Sequence, residues 1–550
     1  MNMKRFLLYA FLGLGSLPML TGCYEDKSTE AEFLIPEIEI DTVGFNAPWN
    51  DDYDRYTISV QQFDKLQLSF PVKQEGISNP DYSYEWKLTM APESSGGASL
   101  SFMTISEEKD LEYEIIQAPN SRPYILWYQV TDNATGIKKG MVWAIKILAP
   151  YNEGLIVAES NDGSNTDLAF VSSGDFTVGH SGEAKVSHNL YTNANEGQPI
   201  QGLLQGMLFY QRSVSGQGTM NHFMVYGKDF FQHIDNGFKY AGRDTEVSYD
   251  GEQTFAPTQL DIYGSSSVIF INEGRIYPIV TPNVPKMTVN IPELFTHPVT
   301  GLSAETEVDK YIAMRRDSEY KSGVGYVSSW GCWYDKKNGI FMLQQQGSPT
   351  YRNGCNTFPT LDNPIFDPNN VPGLDTRATG LDMDKNFVFV MKNTLEDKYQ
   401  IYVFKSTTVP EPLALYDLPA SESSKLDAAQ SYFVSDNGKI IYFATKNAVY
   451  AIQLDATVPT VNEIYSSSEE ITHFSMFTQA FQLLSGSSAQ YYPEKCLASH
   501  HNMLILGTWN GSKGTLTTLP IVNPATGEID TAAIKNYTGF GKILTVIHHQ

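Results

Sequence analysis

Two stretches in the middle of the chain place aromatic, amide and cationic side chains close together. "SSWGCWYDKKNG" carries Trp330, Trp333 and Tyr334, and "QQQGSPTYRNGC" adds Tyr351 and Arg352. Aromatic faces stack on sugar rings or apolar side chains, while amides and guanidinium groups bond hydroxyls and carbonyls. These five residues form the candidate ligand site, with packing inside a sheet as the competing role. Cys332 and Cys355 sit in the same region, and a disulfide between them would close one hairpin. Catalytic grammar is missing: no G-x-S-x-G, H-E-x-x-H or Walker loop occurs, and "GHSGE" (Gly179–Glu183) is one position short of the first. A glycosidase-like carboxylate pair is defined by a separation of roughly 5 to 10 Å, which spacing in sequence does not fix. No catalytic residue is assigned, and an enzyme is not expected. No zinc-type Cys/His spacing appears. His500-His501 and His548-His549 are adjacent pairs, and neighbours on a strand point to opposite faces. "NDGSNTD" (Asn161–Asp167) lacks the distal Glu of a calcium loop and reads as a polar turn. No metal or cofactor is expected.

The elements that would hold such a site are strands. Val, Ile, Tyr, Phe and Thr dominate the apolar runs, and Gly and Asn punctuate them as turns require. Residues 42–149 contain short alternating runs. In "YSYEWKL", Tyr82, Tyr84, Trp86 and Leu88 share one face by period two. About a hundred residues of this kind, with a Trp in a middle strand, predict an Ig-like β-sandwich with Trp86, Trp127 and Trp143 in its core. Residues 150–550 instead repeat a strand-turn-strand unit. Seven such units begin at Gly154, His222, Ser267, Cys332, Asn386, Gly438 and Asn502, spaced by roughly 45 to 70 residues. That spacing predicts a β-propeller of about seven blades, each too small to bury its own apolar face. "GKILTVIHHQ", from Gly541, would complete the first blade. A long two-sheet β-structure is the competing architecture. Either way the fold class is all-β.

The first residues carry a different kind of chemistry. Lys4 and Arg5 precede an apolar run from Phe6 to Leu20, too short to span a bilayer. Leu20-Thr21-Gly22-Cys23 resembles a bacterial lipobox, in which the Cys is acylated after cleavage just before it. Residues 1–22 then form the signal peptide and residues 23–41 a lipidated tether. Tyr24-Glu25-Asp26 resembles the acidic export signal of surface lipoproteins of the Bacteroidetes, which implies an outer-membrane, cell-surface location. No other run of 18 or more apolar residues suggests a span.

The chain has 550 residues and a formal net charge of −24. Without Lys4 and Arg5 the balance is 36 − 62 = −26. Such a surface repels phosphate backbones, which excludes nucleic acid as a partner. Of the four Cys, Cys332, Cys355 and Cys496 remain if Cys23 carries lipid, so at least one stays unpaired.

The lipobox, the Trp-bearing sandwich with its "VTDNATG" turn, and the block "YNEGLIVAESNDGSNTDLAFV" (Tyr151–Val171) occur together. In combination they resemble the PKD-like family of Bacteroidetes lipoproteins. Many members accompany SusC/SusD-like transporters, in which a TonB-dependent barrel imports oligomers. The resemblance implies an accessory lipoprotein that binds an oligopeptide or oligosaccharide for such an importer. It supplies no catalytic residues. A surface hydrolase or lyase built on a propeller, and an adhesin or scaffold, remain the alternatives.

Overall fold

Strict alternation builds the N-terminal part of the chain. Along Tyr124–Asp132 every second residue is buried. Such a strand presents one apolar face, which needs a second layer to cover it. The computed structural model describes residues 37–42, 57–62, 64–77, 79–91, 100–117, 122–148, 151, 153–178, 180, 183–214, 218–246, 254–263, 267–280, 294–295, 305–314, 330–345, 354–406, 410–454, 458–480 and 497–549. These fall into two units, 1–152 and 153–550.

In the first unit a five-stranded sheet runs in the order Thr57–Gln61, Lys138–Leu148, Tyr124–Asp132, Tyr82–Met90, Met103–Ser106. Two small antiparallel pairs accompany it: Lys65–Leu68 with Leu111–Glu114, and Ile38–Ile40 with Val72–Gln74. The shared core gathers Phe70, Trp86, Tyr128 and Trp143. Trp86 stacks on Tyr128 with ring centroids 4.0 Å apart, and Phe70 lies on Trp143 at 5.0 Å. The Trp86 indole N–H donates to the Glu108 carbonyl at 3.0 Å, so its one polar atom is satisfied. Trp127 departs from the expectation of a core residue: it points to the other face of the sheet and is 36% exposed.

In the second unit the middle strands are apolar on both faces. Gly154–Ser160, Phe387–Asn393 and Ile440–Ala444 are buried along their whole length. A strand buried on both faces needs a sheet on each side. The described residues form seven antiparallel sheets, each with four strands in its main order. Six follow the chain and lead with Leu204–Val214, Pro257–Tyr263, Val308–Met314, Leu374–Leu381, Ser431–Val434 and Glu470–Met476. The remaining sheet joins Lys185–Ser187, Asn165–Ser172 and Gly154–Ser160 to the late strand Lys542–His549. That strand pairs Gly154 with His549 and Ser160 with Lys542. Each leading strand packs against the next, and Lys542–His549 packs against both the first and the last of the six. Helix among the described residues is confined to short turns such as Leu190–Ala194 and Ser423–Asp427. None is long and apolar enough to cross a membrane. The chain is all-β.

The leading strands share an irregularity. The register shifts near the start of five of them, between Leu204 and Gly206, Pro257 and Gln259, Val308 and Ile312, Thr376 and Ala378, and Ile471 and His473. A bulge re-aims the extra side chain and bends the strand. Neighbouring leading strands are then tied by polar bonds. Gln259 Nε2 donates to Ile312 O at 3.2 Å, and Ile312 N donates back to Gln259 Oε1 at 2.7 Å. In "NDGSNTD" the first residues form a polar turn and the last three begin the strand Asn165–Ser172. Asp162 Oδ1 accepts from Ser164 N and Asn165 N, and these bonds hold its carboxyl down at about 2.

Candidate functional site

Bulges on two adjacent leading strands bring charged groups together. Between Val308 and Ile312, three residues oppose the single Tyr334, and Lys310 adopts a left-handed φ of 68°. That conformation is costly for a residue with a Cβ and is held by its surroundings. On the next sheet Arg377 is the bulged residue. The buried Asp309 joins the strands: it accepts from Thr376 N through Oδ2, and Lys336 Nζ lies 3.4 Å from Oδ1. Asp375 is the hub. Its Oδ1 lies 3.0 Å from Lys310 Nζ and 3.4 Å from Lys336 Nζ, and its Oδ2 lies 3.2 Å from Arg377 Nη2.

Lys336 is placed by the turn Asp335–Gly339. Asp335 Oδ1 accepts from Lys337 N, Asn338 N and Glu307 N, which fixes both the turn and the preceding strand. On the far side, the Arg377 guanidinium carbon is 6.0 Å from the Tyr399 ring centroid. Lys392 Nζ is 4.6 Å from the same ring. Tyr399 donates to Asp427 Oδ1 at 2.7 Å, and Lys392 bridges Asp427 at 3.3 Å and Asp397 at 2.7 Å.

The electrostatics favour the charged forms of Asp375, Asp427 and Lys336. Burial opposes charge on Asp375, but Lys310, Arg377 and Lys336 outweigh it and hold the carboxyl below its usual range. The Tyr399 hydrogen bond, then Lys392, does the same for Asp427. Burial works against the Lys336 ammonium, yet Asp309 and Asp375 raise its pKa. Burial, reinforced by Asp309 and Asp375, keeps the Tyr311 phenol protonated. Four carboxylates therefore face four cations, a locally neutral cluster in a chain of net charge −24. Asp375 and Asp427, held this acidic, are poor general acids at neutral pH. They are good fixed acceptors, and the cations are good fixed donors. The Arg377, Lys310 and Lys336 side chains are 35%, 40% and 45% exposed. Their carboxylate partners are drier, Asp375 at 17% and Asp309 at 2%, so an incoming hydroxyl or amide meets the exposed cation heads while the pairs stay made.

The aromatic cluster expected from sequence is not this site. Trp333 and Tyr334 are fully buried on opposite faces of their strand. Trp333 packs with Ile269 and Ile271 of the preceding sheet, and Tyr334 with Phe341, Phe387 and Phe389 towards the following one. The Tyr334 hydroxyl donates to Val371 O at 2.8 Å, a structural bond. Trp330 begins the strand Trp330–Asp335, while Tyr351 and Arg352 lie outside the described residues, as do Cys23 and Cys496. The Cys332–Cys355 disulfide does not form; both thiols are free and buried. Cys332 pairs with Leu343 and Leu343 with Asn356, whereas Cys355 sits opposite Gln344. The two Cys are thus two strands apart, about 10 Å, on opposite faces, beyond the roughly 7 Å Cα limit of a disulfide.

The charged cluster carried a faint signal in sequence. "VDKYIAM" puts charge on successive positions, Asp309 and Lys310, of an otherwise apolar strand, which period-two alternation does not accommodate without a bulge. "LDTRATGL" spaces Asp375 and Arg377 two apart and gives no such signal. The two His pairs differ: one separates and the other does not. His548 and His549 face opposite ways, towards Phe477 and towards Phe209 and Phe223. His500 and His501 lie in a turn rather than a strand, with rings 3.8 Å apart and His501 Nδ1 2.7 Å from Asp436.

A model of the PKD-like family matches residues 23–203. The match spans the described part of the first unit and runs into the first strands of the second, including the block from Tyr151. No curated protein matches the chain. Two solved structures resemble it at low identity. One is a quinonprotein alcohol dehydrogenase-like protein from Bacteroides thetaiotaomicron, 11% identical, with a TM-score of 0.36 over 94% of this chain and all of that one. The other is a 6-phosphogluconolactonase candidate from Bacteroides uniformis, 9% identical, with a TM-score of 0.36 over 72% of this chain and all of that one. Likeness at this level bears on neither activity nor substrate.

Proposed function

We propose that the chain is a lipid-anchored surface protein whose second unit is a seven-bladed β-propeller that binds a neutral, polar oligomer. The oligomer is a peptide or glycan nutrient, handed to a SusC/SusD-like importer in the outer membrane, with Cys23 as the lipidated residue. The observation that supports binding is the cluster around Asp375. Donors and acceptors there are ordered before any ligand arrives, partly exposed and balanced in charge. Preorganised groups of this kind bind without a large ordering cost. The same balance favours hydroxyl and amide groups over polyanions.

Titration calorimetry of the full chain against neutral oligosaccharides and oligopeptides tests the site. Arg377→Ala and Lys310→Ala are each expected to weaken binding about tenfold, about 1.4 kcal/mol, while the thermal midpoint moves little. Equal affinity in both variants, or no binding in either panel, removes the site. Shortened products after incubation would instead favour a hydrolase or lyase. Purification from gently solubilised membranes tests the transporter link, through stoichiometric recovery of a SusC/SusD-like pair.

A further inference from the structure

A second binding platform lies on the first unit, on the face of the five-stranded sheet turned away from its core. Trp127 is central there, opposite Lys87 on one neighbouring strand and Val142 on the other. Two features distinguish it from a scattered surface Trp, which alone would need no explanation. The first is Gly140, within the strand beside it. A Cβ at Gly140 would stand 3.0 Å from the Trp127 indole Nε1. A glycine weakens a strand interior and marks a close approach; here it lets the indole lie down across the sheet. The second is Phe102, whose ring stands at 89° to the indole with centroids 5.4 Å apart. A floor and an upright wall result, bordered by Val142, which is close to half exposed. At the margin Glu85 is bonded to Lys87 at 2.7 Å and accepts from Thr104 at 3.2 Å. The Glu85–Lys87 part of the polar rim is therefore fixed, with Lys138 close enough to act on Glu85.

We infer that this corner binds a pyranose ring of a neutral glycan. The ring's C–H face stacks on Trp127 and its edge meets Phe102, while Lys87 and Thr104 lie within reach of its hydroxyls. Size argues for a sugar over a protein. At 36% exposure and about 250 Å² for a whole Trp, the indole offers roughly 90 Å². A standard protein interface takes about 800 Å² from each partner. Lys87 and Lys138 both act on Glu85, so the rim does not favour a cationic ligand. This platform stands independently of the Asp375 cluster.

The test is native gel retardation of the full chain in gels cast with hydroxyethylcellulose, mixed-linkage β-glucan or galactomannan. Arg377→Ala serves as the background, so that loss at the second unit and loss at the first are read separately. Retardation in that background should fall at least tenfold on adding Trp127→Ala, fall less with Phe102→Ala, and return largely with Trp127→Tyr. Gly140→Val, which lifts the indole without removing it, should also weaken retardation and guards against a folding defect in the alanine variant. The inference is overturned if Trp127→Ala migrates like its parent. It is equally overturned if no gel retards the parent, or if apolar peptides bind at Trp127 and glycans do not.

Discussion

Three histidines are held as neutral rings, His500 and His548 buried and His473 half-buried beside Ser475. His548 accepts from Ala480 N at Nδ1 and bonds Phe176 O through Nε2, which assigns the proton to Nε2. Burial lowers its pKa to about 4, although Glu153 lies 4.0 Å away. His500 accepts from Gln479 N, and burial followed by His501 lowers it to about 3; burial lowers His473 to about 4. Unfolded, each titrates near 6.5. Between those values the unfolded chain binds more protons than the folded one. Stability is therefore intact above about pH 6.5 and falls as pH drops towards 4, by up to about 1.4 kcal/mol per pH unit for each ring. The urea midpoint of the second unit should be lower at pH 5 than at pH 7, and His548→Gln should flatten the difference. An equal midpoint at both values would refute this. At this scale the sequence was a partial guide. It marked Trp86 and Trp143 correctly as core, but Trp127 differs from them only in which face its register assigns. Trp333 and Tyr334 looked like ligand residues because sequence shows aromatic clusters without showing that sheets lie on both sides.

At the scale of elements, the seven starting points read from the chain fall in the central hairpins of the seven sheets. Those hairpins are legible because both faces of their strands are buried, which leaves continuous apolar runs bounded by turns. The leading strands are not legible for the same reason inverted: bulges break their period, as at Arg377 and at Asp309–Tyr311. The Asp335–Gly339 turn shows how tightly such parts are fitted. Gly339 has φ 66°, and a Cβ there would lie 2.8 Å from Pro372 Cα, a backbone atom that cannot swing aside. Gly339→Ala should cost about 1–2 kcal/mol from the left-handed backbone alone, and more from the contact. The same variant should weaken ligand binding by displacing Lys336. An unchanged urea midpoint would show that the turn has slack.

At the scale of the whole second unit, one pairing joins its first strand to the last described strand. Besides the ladder from Gly154 to Ser160, Gly541 N donates to the buried Glu159 Oε2 at 2.6 Å, and Glu159 also holds His188 Nδ1 at 2.8 Å. Deleting residues 542–549 would bare the edge of a fully buried, mostly apolar strand, which templates aggregation. The shortened chain should lose its cooperative thermal transition and scatter light on heating. A midpoint within about 2 °C of the full chain would mean that closure contributes little, since even 1 kcal/mol moves a large domain by about 2–4 °C.

The same pairing sets a clock. Lys542 is made 382 residues after Ser160. At about 5–20 residues per second, the first sheet waits roughly 20 to 75 seconds for its partner. During that interval every earlier hairpin can form, yet the edge beside Gly154–Ser160 stays open to any other strand in the cell. Whatever escorts the growing chain must shield that edge until the last strand arrives.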